Sequence, residues 1–373
     1  MAGSTIGTVF RITTWGESHG KGLGVVIDGC PSGIPLGEED IQQYLDRRKP
    51  GQSRFTTARQ EGDQARILSG VFEGKTTGAP ISIAVENQDQ RSHDYSEIME
   101  IYRPGHADYT FDKKYGFRDY RGGGRSSGRE TIGRVAAGAV AVRLLEYMGI
   151  HINAYTKSIG SIEVDKSRFN LEERDKNRLY MPDAEAAGQA EAFLEECMTR
   201  GDSAGGVVEC VITGLPAGVG EPVFDKLDAC LAKAIFSIGA VKGFEVGDGF
   251  QAAQSCGSQN NDPFCRDEQG KITKKTNHAG GILGGISDGS DVIFRAAFKP
   301  TPSISCAQQT VTREGEEKEI VIKGRHDPII VPRAVVVVEA MAALTAADLL
   351  LLAMASRGED VQETMGKVKQ RNG

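Results

Sequence analysis

The apolar segment at 335–355 constrains the fold of this chain more than any other feature of its sequence. It is long enough to cross a bilayer, but Glu339 and Asp348 lie within it, and an acidic residue at the centre of a membrane helix costs about 2.5–3.5 kcal/mol. We therefore expect a helix buried in a globular protein, not a membrane span. Desolvation would favour the neutral form of Asp348, which makes it a candidate for moving a proton. The alternative is a partly buried Asp that simply bonds to neighbouring backbone.

The composition is that of an acidic globular protein. The 373 residues carry a net charge of -7, which argues against general nucleic-acid binding through bulk charge, so an anionic ligand would need a focused cluster of cations. The seven cysteines are widely spread without a C-x-x-C pair, as is typical of reduced cytosolic thiols, and no metal site is predicted. The N-terminal segment has no apolar core of a signal peptide, so we expect a cytoplasmic protein.

Two segments of similar pattern indicate an internal duplication. GVVIDGCPSGIP at 24–35 and GVVECVITGLP at 206–216 each predict a strand, a Gly/Pro turn and then a helix. No low-complexity linker divides the chain, so we expect a single domain over 1–373, with the polar stretch 256–276 as a mobile loop insertion. Strands and helices mix without regular alternation, which favours an α+β fold. Further predicted elements are strands at 7–14, 79–85, 158–164 and 291–298, and helices at 38–47, 183–199, 222–236 and 335–355.

The stretch RGGGRSSGRETIGR at 121–134 concentrates four arginines beside glycines. Ser127 and Glu130 have the spacing of a capping box, so a helix should begin here and continue to about Tyr147. Helix N-termini favour phosphate or carboxylate, which predicts an anion site. An ordinary capped helix with solvated arginines is the alternative.

Three further stretches carry groups suited to an anionic ligand. DRRKPGQSRFTTAR at 46–59 holds five basic residues around a Pro-Gly turn, which suits carboxylate or phosphate. His19 and His106 both lie in glycine-containing loops and are candidate proton donors. The glycine-rich NHAGGILGGISDG at 277–289 and the donors of KPTPS at 299–303 predict close backbone approach to a ligand. The chain contains neither a Walker loop nor a dinucleotide fingerprint.

Together these motifs resemble the chorismate synthases. The matching stretches run in family order over nearly the whole chain: GESHG at 16–20, RRKPGQSR at 47–54, RPGHADYT at 103–110, GGGRSSGRET at 122–131, NHAGGILGGIS at 277–287 and GRHDPIIVPRAVVVVEAMAALTAAD at 324–348. Gly128 and Gly239 stand where alanine and asparagine are familiar in that family.

The resemblance implies a lyase that converts 5-enolpyruvylshikimate 3-phosphate to chorismate and phosphate by 1,4-elimination. It implies reduced FMN as the cofactor, NADPH as an indirect reductant, a four-layer αββα sandwich and a homotetramer. The substrate carries two carboxylates and a phosphate, which explains why an acidic protein would concentrate arginine.

The resemblance also implies roles for individual residues. The catalytic groups would be His19 toward the departing phosphate, His106 against the flavin, and Asp348 as a proton relay. The substrate would be bound by Ser18, Arg48, Arg54, Arg129 and Arg134. The flavin would be bound by Arg125, Ser126, Ser127, Gly239, Ala240, Gly284, Lys299, Pro300, Thr301, Pro302, Ser303 and Arg325.

Two alternatives remain at this stage. One is a bifunctional enzyme that also reduces its own flavin with NADPH. The other is an arginine-glycine RNA-binding module, which the single RGGGR and the acidic composition disfavour.

Overall fold

Two five-stranded antiparallel sheets and eight helices make up the fold in the computed structural model, which describes residues 3–52, 54–56, 62–87, 99–120, 123–322 and 327–371. The helices are α1 (Glu38–Arg48), α2 (Asp108–Tyr115), α3 (Thr131–Tyr147), α4 (Ala184–Thr199), α5 (Leu227–Phe236), α6 (Gly257–Asn260), α7 (Val331–Ala353) and α8 (Gly358–Arg371). The strands are β1 (Thr5–Ile6), β2 (Arg11–Gly16), β3 (Gly22–Asp28), β4 (Arg66–Ser69), β5 (Val71–Phe72), β6 (Lys75–Thr76), β7 (Ile81–Glu86), β8 (His151–Ile159), β9 (Ile162–Glu163), β10 (Gly206–Thr213), β11 (Val241–Val246), β12 (Phe264–Arg266), β13 (Ile272–Lys274), β14 (Ile282–Leu283), β15 (Ile286–Ser287), β16 (Val292–Phe298), β17 (Gln308–Val311) and β18 (Glu317–Ile320).

Each large sheet buries one face and leaves the other more open. The first has the order β1-β2-β3-β7-β4 and the second β11-β16-β10-β8-β9. Buried and less buried side chains alternate along β2, β7 and β16, as expected for antiparallel strands that pack on a core from one side. The sheets are therefore outer layers.

The long helices fill the space between the sheets. Helices α3 and α7 are buried around most of their circumference, as helices enclosed on all sides are. Helix α3 packs on β3, helix α7 packs on β8 and β10, and the two helices pack on each other. The contact is close at Gly138, where an added Cβ would lie 2.3 Å from the Ala340 Cβ.

This packing confirms a mixed αβ fold and corrects the expected layer order. The αββα arrangement would place the two sheets face to face with helices outside. The observed order is sheet, helix, helix, sheet, because α3 and α7 are too apolar to leave a side in water. Helix α7 passes a length and hydropathy test for a membrane span, yet 89% of its most apolar window is buried inside the protein.

The topology supports the internal duplication. Strands β2 and β3, helix α1, strands β4 and β7 and helix α3 follow one another in the first half. Their counterparts are β8, β10, α5, β11, β16 and α7, and the two sheets have matching orders, β2-β3-β7-β4 and β8-β10-β16-β11. Buried side chains of both halves form one cluster from Phe10 to Leu350. The single domain over 1–373 stays a prediction.

Three local predictions need correction. The strand predicted at 158–164 is instead a hairpin, in which β8 ends at Ile159 and β9 covers Ile162–Glu163. The predicted capping box does not form: Ser127 Oγ accepts from Arg129 N–H in a short 3₁₀ turn, while the Glu130 carboxylate pairs with Arg134. The stretch 256–276 is not a plain loop, because it contains α6, β12 and β13. Its mobility remains a prediction.

Candidate active site

A cavity of about 510 Å³ opens beside the N-terminal end of α7, a volume within the range of small-molecule sites. Six stretches of chain converge on it: the end of α1, the loop before α2, the turns before α3, the turn between α5 and β11, the segment after β16, and the start of α7 with the residues before it. Its lining consists of Arg48, Arg103, Gly105, His106, Ala107, Asp108, Gly123, Ser126, Ser127, Gly128, Thr131, Ile238, Gly239, Ala240, Phe298, Lys299, Thr301, Pro302, Ser303, Asp327, Ile330, Arg333, Ala334 and Val337.

His106 is held in one orientation by contacts on both ring nitrogens. Nδ1 lies 3.0 Å from the Pro104 carbonyl oxygen, which can only accept, so Nδ1 carries the proton. Nε2 lies 2.8 Å from Ser303 Oγ and accepts a hydrogen bond from its hydroxyl. Burial and the charges of Arg103 and Lys299 lower the pKa of His106 to about 4. The imidazole is therefore neutral at neutral pH.

The loop that carries His106 is anchored through Asp108. Arg103 donates from Nε and Nη2 to the two carboxylate oxygens of Asp108 at 2.7 and 2.8 Å, and Arg118 Nη1 lies 2.9 Å from Oδ1. Burial alone would raise the pKa of Asp108, but the hydrogen bonds and charge of Arg103 lower it. Lys299 Nζ donates to the Gly105 carbonyl at 2.9 Å, which ties the loop to the segment after β16.

A buried ionic cluster forms the floor of the pocket. Asp63 is buried between two arginines, with Oδ2 3.3 Å from Arg48 Nη2 and Oδ1 2.8 Å from Arg129 Nη1. Burial and the charges of Arg333 and Arg129 lower the pKa of Arg48 to about 9. The charge of Asp63 opposes this shift. The Nε of Arg48 is buried without a hydrogen-bond partner among the described residues. The cluster carries more positive than negative charge.

The start of α7 adds a second ion pair to the lining. Arg333 Nη1 lies 2.7 Å from Asp327 Oδ2, and Arg333 Nε donates to the Arg48 carbonyl at 3.1 Å. Among the described lining residues, four cationic side chains therefore stand against two carboxylates. In a chain of net charge -7, this is a focused anion site.

The opposite wall provides backbone and hydroxyl groups. Ala240 has φ 71°, a strained conformation for a residue with a side chain and one that clusters at ligand sites. A Cβ added at Gly239 would meet nothing within 4 Å, so the pocket has room where a larger side chain is familiar. Thr301 Oγ1 is buried and has no hydrogen-bond partner among the described residues. These groups suit a flat ligand with a phosphate.

The structure brings ten of the predicted residues to the pocket lining: Arg48, His106, Ser126, Ser127, Gly239, Ala240, Lys299, Thr301, Pro302 and Ser303. Pro300 is part of the same segment without lining the cavity, and Gly284 lies in the β14–β15 hairpin. Arg325, with Arg59 and Arg121 of the two arginine-rich stretches, lies outside the described residues.

Five predicted residues lie outside the lining. Arg129 is buried against Asp63, and Arg134 Nη1 donates to Ser237 Oγ at 2.5 Å, next to Ile238 of the lining. Arg125 Nη1 donates to the Gly16 carbonyl at 3.1 Å, at the end of β2. Beyond Gly16, Ser18 Oγ lies 3.1 Å from His19 Nδ1.

Two predicted residues are placed elsewhere. Asp348 accepts hydrogen bonds of 2.7–3.0 Å from the N–H groups of Thr8, Val9 and Phe10, and it lies about 16 Å along α7 from Val337 of the lining at 1.5 Å per residue. This placement argues against its assignment as a relay, which stays a prediction, because its carboxylate accepts from backbone donors of the N-terminal segment. Arg54 is exposed and pairs with Glu191 and Glu195 of α4, outside the lining.

Sequence reasoning missed four charged residues of this site: Asp63, Arg103, Asp327 and Arg333. The signal was present for three of them. Arg103 lies in the RPGHADYT stretch, and Asp327 and Arg333 lie in GRHDPIIVPR. Asp63 had no such signal, since only tertiary contacts place it between two arginines.

Comparisons with known proteins show the family. A family model described as "Chorismate synthase" matches residues 10–351. The chorismate synthase of Lachnospira eligens is 65% identical over 97% of this chain and 99% of the relative, and that of Lachnoclostridium phytofermentans is 65% identical over 98% and 100%. A solved structure described as "Crystal Structure of Chorismate Synthase" superimposes with a TM-score of 0.76 at 33% identity, covering 98% of this chain and 99% of that chain.

Proposed function

The chain belongs to the chorismate synthase family, and from that premise we propose how its own residues carry out the family reaction. The enzyme is a lyase that converts 5-enolpyruvylshikimate 3-phosphate to chorismate and phosphate. The observation that carries the assignment of the site is the pocket itself, where cationic side chains outnumber carboxylates two to one in an acidic protein.

Arg48 and Arg129 bind anionic groups of the substrate. They lie side by side on Asp63, and Arg48 lines the cavity. Guanidinium groups match carboxylate and phosphate geometry, and a bound anion would supply the negative charge that this buried cluster lacks. Arg134, which pairs with Glu130 behind the lining, supports this side of the pocket. Arg54 reaches the substrate only if it leaves its pairs on α4.

His19 acts toward the departing phosphate. Its turn follows β2, and Ser18 Oγ holds its Nδ1. A histidine in this position can donate a proton or a hydrogen bond as negative charge develops on the leaving oxygen.

The opposite wall binds FMN. Ser126, Ser127, Gly239 and Ala240 would hold it together with 299–303, and Thr301 Oγ1 would gain a partner. Arg125, Gly284 and Arg325 complete the contacts that the family implies. When bound, reduced FMN would supply an electron-rich ring to the reaction. His106 lines the same pocket as a neutral imidazole, and a neighbouring negative charge would raise the pKa of His106 from its value of about 4.

Asp327 takes the acid–base role that sequence analysis gave to Asp348. A 1,4-elimination removes a proton as well as phosphate, so the pocket needs a proton acceptor. Of the two described carboxylates in the lining, Asp108 anchors the His106 loop through Arg103 and Arg118, and the hydrogen bonds and charge of Arg103 lower its pKa, which makes it a weaker proton acceptor. We therefore assign the role of acceptor to Asp327, which pairs with Arg333 just before α7.

The active enzyme is a cytoplasmic homotetramer that acts without nucleic acid. Phe117, Phe224 and Phe250 are each more than three quarters exposed, and exposed apolar side chains of this size favour subunit contacts. Light scattering of the purified enzyme tests the oligomeric state.

Anaerobic turnover tests the proposed function. The enzyme with dithionite-reduced FMN should release phosphate from 5-enolpyruvylshikimate 3-phosphate without NADPH, and no release would contradict the proposal. NADPH acts indirectly, through a separate reductase. The bifunctional alternative has no support among the comparisons, and it predicts turnover with oxidised FMN and NADPH alone.

A further inference from the structure

The turn that carries His19 is bonded to the side chain of Asn87. Residues 17–21 connect β2 to β3, and within the turn Gly20 N–H donates to the Glu17 carbonyl at 3.2 Å. Strand β7 pairs with β3, so the residue after β7, Asn87, lies directly beside the turn.

Asn87 bonds to this turn three times. Its side-chain Nδ2 donates to the Glu17 carbonyl at 3.0 Å and to the Gly20 carbonyl at 2.8 Å. Its backbone N–H donates to the Lys21 carbonyl at 3.2 Å. Both protons of the amide nitrogen are used on the two sides of Ser18 and His19, so the side chain fixes the part of the turn that presents the histidine.

The same amide reaches the anion site with its oxygen. Asn87 Oδ1 accepts from Arg129 Nε at 2.6 Å, and Arg129 Nη1 bonds to Asp63, which also pairs with Arg48. A continuous chain of bonds therefore runs from the His19 turn through Asn87 to both arginines. The side chain of Arg129 is held on two edges of its guanidinium, which leaves it little freedom to rotate.

We propose that Asn87 is a positioning residue that sets the distance between His19 and the substrate-binding arginines Arg48 and Arg129. This inference rests on the proposed function, in which the arginines hold anions of the substrate and His19 acts on the phosphate that leaves. The reaction needs both at once, because a displacement of about 1 Å between reacting groups can lower the rate about 10²-fold. One amide that bonds to both parts fixes their relation.

The first test is Asn87→Ala in the enzyme reconstituted with FMN. The turn and Arg129 both lose a bond, so kcat should fall at least about tenfold, and the Kd of 5-enolpyruvylshikimate 3-phosphate with oxidised FMN should rise. Asn177→Ala is the matched control, because Asn177 Nδ2 also donates to two carbonyls, those of Glu173 and Met181 at 2.7 Å, away from the pocket. The control should lower thermal stability and leave kcat unchanged.

A double-mutant cycle with His19→Ala separates positioning from general structural support. If Asn87 acts on kcat through the His19 turn, Asn87→Ala should lower kcat in the wild type but not further in the His19→Ala enzyme, while the rise in Kd persists in both. If the kcat losses of the two single variants multiply in the double variant, the inference is overturned. Native kcat and Kd in Asn87→Ala would also overturn it.

The proposed function can fail separately. Native kcat in His19→Ala would remove the role of His19 without touching the arginines. In that case the Kd of Asn87→Ala decides, since an unchanged Kd contradicts the contact with Arg129 as a determinant of substrate binding.

Discussion

The two ends of helix α7 carry similar charged groups and use them differently. At the N-terminal end, Asp327 and Arg333 line the cavity, and the nearby Arg48 Nε has no hydrogen-bond partner among the described residues. Toward the C-terminal end, Asp348 accepts from three successive backbone N–H groups. The comparison teaches that burial of an acid in an apolar helix does not identify a catalytic group. Asp348 is bonded to the backbone far from the cavity, whereas Asp327 pairs with Arg333 within the cavity lining, so position relative to the cavity distinguishes the two acids.

The middle of the same helix confirms this distinction. Glu339 is buried, with Oε2 2.6 Å from Arg47 Nη1 and Oε1 accepting from Ala154 N–H at 2.9 Å. Arg174 Nη1 lies 3.4 Å from the same Oε1. These bonds tie α7 to α1 and β8. Glu339 and Asp348 therefore hold the layers together, whereas the cluster at the start of the helix faces the cavity.

The largest expected effect follows from removal of Arg48. In Arg48→Met, Asp63 loses a buried partner and the substrate loses a cation, so kcat/KM should fall about 10³-fold, equivalent to about 4 kcal/mol. Steady-state assays with pre-reduced FMN measure this. Arg174→Met is the control at the structural cluster, and it should lower the melting temperature with kcat/KM within about twofold of native. Equal losses in both variants would erase the distinction between the two regions.

A second prediction concerns acid stability at His106. The pKa of His106 is about 4 in the folded protein and 6.5 as a reference value. Between these pH values the unfolded chain binds a proton that the folded chain does not, so this site's contribution to stability falls as pH falls. Going from pH 7 to pH 4 should cost about 3 kcal/mol at this position. Urea unfolding of the wild type and His106→Gln at both pH values measures the difference, and identical pH dependences would contradict a buried neutral imidazole.

The third prediction tests the pocket carboxylate. Asp327→Asn removes the proposed proton acceptor, so kcat should fall about 10²-fold, the usual lower range for loss of an acid–base group. Turnover with pre-reduced FMN gives kcat, and circular dichroism checks that the fold is retained. A fully active Asp327→Asn enzyme would leave the start of α7 without a catalytic group.

The smallest effect, and one confined to stability, is expected for Asp348→Asn. The asparagine side chain accepts fewer and weaker hydrogen bonds from the backbone N–H groups of residues 8–10, so the free energy of unfolding should fall by about 2 kcal/mol. Turnover should stay native, because Asp348 is distant from the cavity. Denaturant titration and the phosphate-release assay report the two quantities. A loss of kcat without a loss of stability would restore Asp348 as a relay.

The fold was predictable where the signals are local. Helix α4 begins one residue after the predicted start and ends at the predicted residue, Thr199, because Asp183 caps it and its apolar residues follow helical spacing. Strand β8 was largely missed, since Asn153, Thr156 and Lys157 interrupt its apolar residues. The polar groups are buried by partners distant in sequence: Thr156 Oγ1 bonds to the Leu179 carbonyl.

The chemistry of the site was predictable from the sequence, but only some of its residues were. The motifs identified His106, Arg48 and most of 299–303 because glycine, arginine and histidine in loops are typical of anion sites. They could not separate Asp327 from Asp348, since both lie in one matching stretch. They gave no indication of Asp63 or Asn87, whose roles depend entirely on their neighbours.

The sequence by itself determined that α7 is buried, that arginine is gathered for an anion, and that the chain has a strand–helix repeat. These properties belong to single segments, where periodicity and residue type suffice. Only the tertiary structure decided the order of the layers and which charges meet. Ser303 approaches His106 and Thr8 approaches Asp348 across most of the chain, and such contacts follow from the packing of whole helices and sheets rather than from any local pattern.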